Sequence, residues 1–381
     1  MRIRFIGLLG CLMGLLLMLP ASGQDTSPAP AEPAAAAPAT PQGGAAPTWS
    51  VGPIDFSGAI DGYYSWNNNH PASMTNNLYN FNDSANQFGL SLAEIALEHS
   101  PDPVGFRVDL GFGRTYQLVN SADNDGGFNQ YLQQAYVSWA PTGGRGFQAD
   151  FGKFVTSAGG EVIESYPNWN YSRSLAFVLA LPYYHFGLRT SMPMGRFTGG
   201  FHLVNGWNNV VDNNSGKTVG LTGALDLGMG TWYANYYAGP ENSGTNTGWT
   251  HLIDTTLVLT PVSQVSAYLN YDYGQSRSPD FAAWQAFAAA IRFQATDNWA
   301  FTPRGEWFQD RQGSRSGSGI PTIIKEVTFT GEYKLAEGLL WRAEYRRDWS
   351  DQSIFERGSA GFYDKQDTFT VAFVAFFGPE R

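Results

Sequence analysis

The chain has 381 residues, one cysteine, 44 glycines and 26 phenylalanines, with only 15% charged residues and a formal net charge of −10. The acidic balance excludes a phosphate backbone as the natural partner, so no nucleic-acid binding is expected. A lone cysteine excludes a disulfide framework. Beyond residue 20 no apolar run is long enough for a membrane-crossing helix.

The N-terminus opens with Met1, Arg2, Ile3 and Arg4, followed by an apolar run from Phe5 to Pro20 and the small residues Ala21, Ser22 and Gly23. This is the pattern of a secretory signal peptide over 1–23, cleaved after Gly23. A rival reading makes Leu8-Leu9-Gly10-Cys11 a lipoprotein box, but the apolar run continues past Cys11, where such a signal would end. Cleavage removes the only thiol, and losing Arg2 and Arg4 takes the formal charge from −10 to −12. Residues 24–50 hold Pro28, Pro30, Pro33, Pro38 and Pro41 among alanines, a periplasmic tether unable to bury a core. Residues 51–381 then form one body.

From Ile54 onward the chain alternates apolar and polar residues with period two. In 54–66, Ile54, Phe56, Ile60, Tyr64 and Trp66 oppose Asp55, Ser57, Asp61 and Ser65. In 104–115, Phe106, Val108, Leu110 and Phe112 oppose Arg107 and Asp109. The clearest segment is 338–349, with Leu339, Trp341, Ala343 and Tyr345 against Arg342, Glu344, Arg346 and Asp348. The pattern predicts strands at 54–66, 87–98, 104–115, 130–139, 146–155, 181–192, 196–206 and 217–228. Eight more follow at 230–239, 250–260, 262–274, 283–295, 298–310, 322–335, 338–349 and 367–378, sixteen in all.

The connections alternate in length. Short ones, such as 100–103, Pro261, Thr296-Asp297 and Ala336-Glu337, separate longer ones at 67–86, 116–129, 156–180, 207–216, 240–249, 275–282, 311–321 and 350–366. A soluble sandwich also alternates faces, but this rhythm is that of a transmembrane antiparallel up-and-down β-barrel with short periplasmic turns and longer external loops. Trp299 and Trp307 share a face eight residues apart, about 26 Å along a strand, which suits an interfacial aromatic girdle.

Three segments break the pattern. Residues 87–98 change phase between Leu92 and Ala93, which predicts a bulge. Residues 230–239 carry aromatics on both faces, and Pro303 sits inside a strand, where a bulge or a strand end is expected.

With the polar faces inward, Arg292, Arg304, Glu306, Glu326, Glu332, Lys334, Arg342, Glu344, Arg346 and Asp348 line one side of the lumen on neighbouring strands. They form either a basic wall that biases which ions pass or a salt-bridge lattice that fills the interior, and both hold at once without conflict. The connection 156–180 is the longest and carries Glu161, Glu164, Trp169, Tyr171 and Arg173. His70, His99, His185, His202 and His251 are scattered and lie in no nucleophile motif, so no enzymatic activity is expected. Asp123, Asn124 and Asp125, or Asp212 with Asn213, are read as turn formers before calcium ligands; no metal or cofactor is expected.

The segments Phe56-Ser57-Gly58-Ala59-Ile60-Asp61-Gly62-Tyr63-Tyr64, Gly113-Arg114-Thr115, Gly152-Lys153-Phe154 with Gly160-Glu161, and Asn205-Gly206-Trp207 follow one another in a distinctive order. In them the chain resembles the type-2 β-barrel porins, outer-membrane proteins of Gram-negative bacteria, from about Phe56 to Phe377. The resemblance implies a barrel in outer-membrane lipid and passive transport of small hydrophilic solutes or ions. One departure is that many such chains end on phenylalanine, whereas Phe377 here precedes Gly378-Pro379-Glu380-Arg381.

The layout also resembles that of sixteen-stranded general porins, whose third external loop folds inward. That resemblance implies a constriction loop in which Glu161 and Glu164 face Arg304, Arg342 and Arg346, and a homotrimeric assembly. The alternative is a non-conducting barrel acting as a structural anchor or adhesin through its external loops.

Overall fold

The structure is a computed structural model that describes residues 50–121, 128–359 and 361–378. The signal peptide, Cys11, nearly all of the proposed tether and the Asp123–Asp125 cluster lie outside the described residues.

Sixteen antiparallel strands form one sheet that closes on itself. The first eight are β1 (Ile54–Asn67), β2 (Gln87–His99), β3 (Val104–Phe112), β4 (Leu132–Trp139), β5 (Gln148–Val155), β6 (Tyr184–Met194), β7 (Phe197–Val204) and β8 (Thr218–Asp226). The others are β9 (Gly230–Pro240), β10 (Trp249–Val262), β11 (Val265–Arg277), β12 (Phe281–Gln294), β13 (Trp299–Asp310), β14 (Thr322–Ala336), β15 (Leu339–Ser350) and β16 (Lys365–Phe377). Each pairs with its sequence neighbours, and β16 pairs with β1 from Thr368↔Asn67 to Phe377↔Gly58. No barrel strand is left with a free edge, which a bilayer does not tolerate. Ser50 and Val51 fold back on Asp55 and Ile54.

Period-two patterning decides which face each residue takes. On β15 the inward residues are Leu340, Arg342, Glu344, Arg346, Asp348 and Ser350, all buried. On β14 and β16 the outward positions Val327, Phe329, Phe369, Val371 and Phe373 are exposed large apolar residues, the surface that lipid covers. Trp299 stacks with Phe301 and meets Tyr333 and Trp341 in an aromatic cluster at the end of β13, as a girdle requires. Phe377, although not the terminal residue, ends β16 over Gly58, where a Cβ would come within 2.9 Å of its ring.

The phase change in β2 is a bulge: Asp61 pairs with Leu92 and Gly62 with Leu90, leaving Ser91 as the extra residue. In β9 the aromatics divide cleanly, Trp232 and Tyr236 outward and Tyr237 inward and buried. Pro303 departs from expectation, because no bulge forms. The register is the same at Ala290↔Arg304 and Phe293↔Phe301, and the proline sits exposed on the outer face, so the barrel gives up ladder pairing there without shifting.

Two further differences concern strand ends. The segment predicted as strand to residue 115 ends at Phe112; Gly113, at φ 108°, turns the chain into a short helix α1 (Arg114–Val119). The connection predicted over 275–282 shrinks to 278–280, because β11 and β12 stay paired to Arg277↔Phe281 and the Ser278 N–H closes the turn on Ser276 Oγ. The strict long-short rhythm therefore fails at this one external loop.

A charged residue on the lipid face at bilayer midplane costs about 2–4 kcal/mol. Phe329→Arg, at the middle of β14 and facing outward, is expected to lose that much in reversible unfolding from lipid vesicles; no loss would mean that this face does not meet lipid.

Candidate pore and the loop that packs against its wall

The connection of residues 156–183 between β5 and β6 is the longest, and its side chains are almost all buried. Its length and small residues let it reach the inward faces of β10 to β15, and its backbone finds hydrogen bonds there. The N–H groups of Tyr171 and Ser172 donate to the two oxygens of Glu344, at 2.6 and 3.0 Å. Ala176 N–H donates to Glu306 Oε2 at 3.2 Å, and Gly159 N–H to Asp254 Oδ1 at 3.0 Å. The arginines serve the loop's carbonyls. Arg342 donates to Ser165 O and Asn168 O, both at 2.6 Å, Arg304 to Ser172 O at 2.6 Å, and Arg346 to Arg173 O at 2.7 Å.

Each predicted wall arginine also has a carboxylate partner. Arg292 and Arg342 share Glu332, at 2.7 and 2.6 Å. Arg304 reaches Glu161 at 2.8 Å, Glu326 at 3.1 Å and Glu306 at 3.2 Å, while Arg346 pairs with Asp348 at 2.7 Å and lies over the Tyr79 ring. The side chains of Arg304, Arg342 and Arg346 are at most 1% exposed. These pairs form the salt-bridge lattice that the inward charges were expected to make.

Of the loop residues expected to face the arginines, Glu161 does so. Asn168 closes the 162–168 turn by donating to Val162 O and Glu164 O and accepting from Val162 N–H, which fixes the backbone that carries Glu164. The Glu164 charge lies near Glu94 and Tyr116, on the β2 side. Arg173 makes no ion pair with a carboxylate among the described residues; it donates to the carbonyls of Val162, Ile163 and Tyr171 and so holds the loop's own fold.

Several contributors escaped sequence reasoning. Asp61 accepts from Tyr171 OH at 2.6 Å, and Asn170 donates to Thr330 Oγ1 at 2.7 Å. The inward face of β12 is Ala282, Trp284, Ala286, Ala288 and Ala290, against which the apolar Leu175, Phe177 and Leu181 pack with Phe308 and Ile324. That alternating alanine run was the available signal, since small inward residues leave room for something to pack on them. The histidines are not all scattered either: His185 and His202 come within 6.5 Å, ring to ring, with Tyr237 stacked on His185 at 4.9 Å. Both are buried, and His185 Nε2 lies 3.3 Å from Thr156 Oγ1.

Residues of the recognised motifs hold loops in place. Arg114 pairs with Asp83 of the first external loop at 2.7 Å, and the buried Lys153 donates to Asn120 at 2.7 Å. Gly152 adopts φ 143°, and a Cβ there would meet Ala135 O at 2.1 Å.

At the external mouth a cavity of about 620 Å³ opens between the loops after β7, β9, β11 and β13. Glu241 lies on it, accepting from Trp207 N–H at 3.1 Å and Thr218 Oγ1 at 3.0 Å. Burial pushes its carboxyl up to about 7, and the nearby Asp212 adds to the rise.

A closed barrel of alternating faces, short turns at one end and long loops at the other defines a protein of the outer-membrane porin class. More specifically, residues 53–377 match the family described as "Putative beta-barrel porin-2, OmpL-like", and the chain belongs to it. No curated protein sequence matches the chain. Among solved structures, the fold is similar to OmpT of Vibrio cholerae (TM-score 0.56, 12% identity, covering 85% of this chain and 97% of that one). It is also similar to an anion-selective porin from Comamonas acidovorans (0.56, 12%, 85% and 99%) and to the channel DcaP of Acinetobacter baumannii (0.55, 10%, 84% and 96%).

Glu344→Ala removes two acceptors from buried N–H groups, each worth about 1–3 kcal/mol when left unsatisfied. Protease cleavage within 156–183 should accelerate, with Glu344→Gln intermediate; equal protection in all three proteins would show that Glu344 does not anchor the loop. Glu241 gives a pH signature. The folded protein holds this proton above the ordinary value of 4.5. Its stabilising contribution is therefore full at low pH and is lost as pH rises through about 7. The other charges facing it are Asp212 and, through its pairing with Asp212, Lys217. Proteolysis of 205–217 is expected to speed up across that range, and Glu241→Gln to flatten the curve; a wild-type curve already flat would refute it.

Proposed function

We propose that the barrel is a passive porin. Small hydrophilic solutes would diffuse down their gradient through a polar lumen narrowed by the 156–183 loop, with Glu161 and Arg173 in the loop and Arg292, Arg304, Glu306, Arg342, Glu344 and Arg346 on the wall it meets. The observation that carries the reading is closure at sixteen strands with charged and hydroxyl side chains inward, since a barrel of that circumference holds more than side chains alone fill. Glu164, whose charge lies near Glu94 and Tyr116, is assigned to the opposite side of the passage. No catalytic step is part of this reading.

The same chain is proposed to assemble as a homotrimer. Strands β3 to β5, β7 and β8 have only eight or nine residues, whereas β10 to β15 have 12 to 15. Eight tilted residues rise about 20 Å, short of an apolar band of about 25 Å. The low wall exposes Val137, Trp139, Phe151 and Leu221, which suits burial against another copy. A trimer form of Vibrio cholerae OmpT is among the similar structures.

One observation favours the second reading, a non-conducting anchor: the arginines are covered by the loop and paired rather than open to water. Planar-bilayer recording separates the two. Discrete conductance steps, with liposome swelling that falls off with solute size, are expected; a correctly folded but silent barrel would sink the porin. Arg342→Ala with Arg346→Ala leaves Glu332 and Asp348 less compensated, so the reversal potential in a salt gradient should move toward cation preference. An unchanged potential would take both residues off the ion path.

A further inference from the structure

The 620 Å³ cavity at the external mouth has a feature the wall lattice lacks. Arg315, on the loop after β13, lies against two tryptophans: its guanidinium carbon is 4.8 Å from the Trp284 ring centroid and 5.4 Å from that of Trp207. The two rings meet edge to face at 6.0 Å. Trp284 fits there because Gly274 stands opposite; a Cβ on Gly274 would fall 1.9 Å from the indole. Arg315 Nε donates to Leu179 O, but among the described residues no carboxylate lies within ion-pair distance of its guanidinium. Asp310 takes the backbone N–H groups of Arg315 and Ser316 instead, each at 2.8 Å. Burial accordingly pulls the guanidinium below its ordinary range, whereas Arg114, which has Asp83, is raised.

A second donor on the same cavity is also unmatched. The Asn209 side chain is buried, 8% exposed, and its amide nitrogen has no acceptor. Glu241 accepts from Trp207 N–H and Thr218 Oγ1, and among the described residues no hydrogen bond or ion pair joins it to either donor. A guanidinium without a carboxylate and an amide nitrogen without an acceptor, beside a flat aromatic surface, describe the complement of an anion on a ring. Asp280 on the same cavity adds negative charge, which disfavours a second carboxylate on the ligand.

We propose that this cavity is a capture site for a small ring-bearing monocarboxylate, its carboxylate held by Arg315 and the Asn209 amide and its ring laid on Trp207. The site rests on the porin reading, because capture at the mouth matters only to a solute on its way in. Binding itself can be measured without conduction.

The test uses the full barrel in detergent micelles and isothermal titration with four probes: benzoate, glucuronate, neutral glucose and cationic benzylamine. Benzoate or glucuronate should bind, the stronger of the two telling an aromatic from a sugar acid, with glucose and benzylamine weaker by about tenfold or more, as a charge-assisted bond implies. Arg315→Gln should weaken the bound acid by about tenfold, and Arg315→Lys should restore part of it. Trp207→Leu should weaken it several-fold while keeping the barrel folded. The proposal is overturned if neither acid binds, if glucose or benzylamine binds as well as the acids, or if both Arg315→Gln and Trp207→Leu leave binding unchanged. Binding by a barrel that is silent in bilayers would refute the porin and leave the site standing.

Discussion

In the hydrocarbon of a bilayer no water is available to a peptide N–H or C=O, and each unpaired group there costs several kcal/mol. The pairing of β16 with β1, ten residues deep from Thr368↔Asn67 to Phe377↔Gly58, is what meets that constraint for the whole sheet. Much else follows from it. Closure fixes a circumference, the circumference fixes an interior, and alternation sends half of every strand's side chains into it. Local departures such as the Ser91 bulge and the gap in pairing at Pro303 are tolerated because each is confined to one or two steps of one ladder.

Closure shifts the desolvation problem inward. Arg304, Arg342 and Arg346 are buried as completely as core phenylalanines, and a buried charge is tolerated only when paired and hydrogen-bonded. The wall supplies the carboxylates, but carboxylates alone do not use all five guanidinium donors. The remaining donors go to carbonyls of the 156–183 loop, while that loop's N–H groups go to Glu344, Glu306 and Asp254. Neither partner is satisfied alone. Loop and wall therefore form one polar network, and hydrogen-bond matching specifies the loop's position together with the apolar packing of Leu175, Phe177 and Leu181.

The barrel was legible because its signals are local and periodic. Which residues face inward on β13 to β15 depends only on parity, so Arg304, Glu306, Arg342, Glu344 and Arg346 could be read from the sequence. The loop was legible only in part, because which way a side chain turns there depends on contacts distant in sequence. Glu161 and Glu164 are three residues apart and chemically equivalent, yet Glu161 meets Arg304 while the Glu164 charge lies near Glu94 and Tyr116. The family relationship and the fold come from different sources: short ordered motifs carry the first, while similar structures at 10 to 14% identity carry only the second.

The mouth cavity and the lattice obey one rule with opposite outcomes. Inside, every wall arginine is matched, and removing a single partner from such a buried pair costs about 3–5 kcal/mol, so the lattice resists change. At the mouth Arg315 is only partly buried, and stacking on Trp207 and Trp284 stabilises the cation without cancelling its charge. A guanidinium held this way keeps donors available to an arriving anion, whereas Arg342 spends its donors on Glu332 and on carbonyls of the loop. In a conducting barrel, selectivity exercised through unmatched charge would therefore belong at the entrance, and the interior lattice would act mainly through the width it leaves.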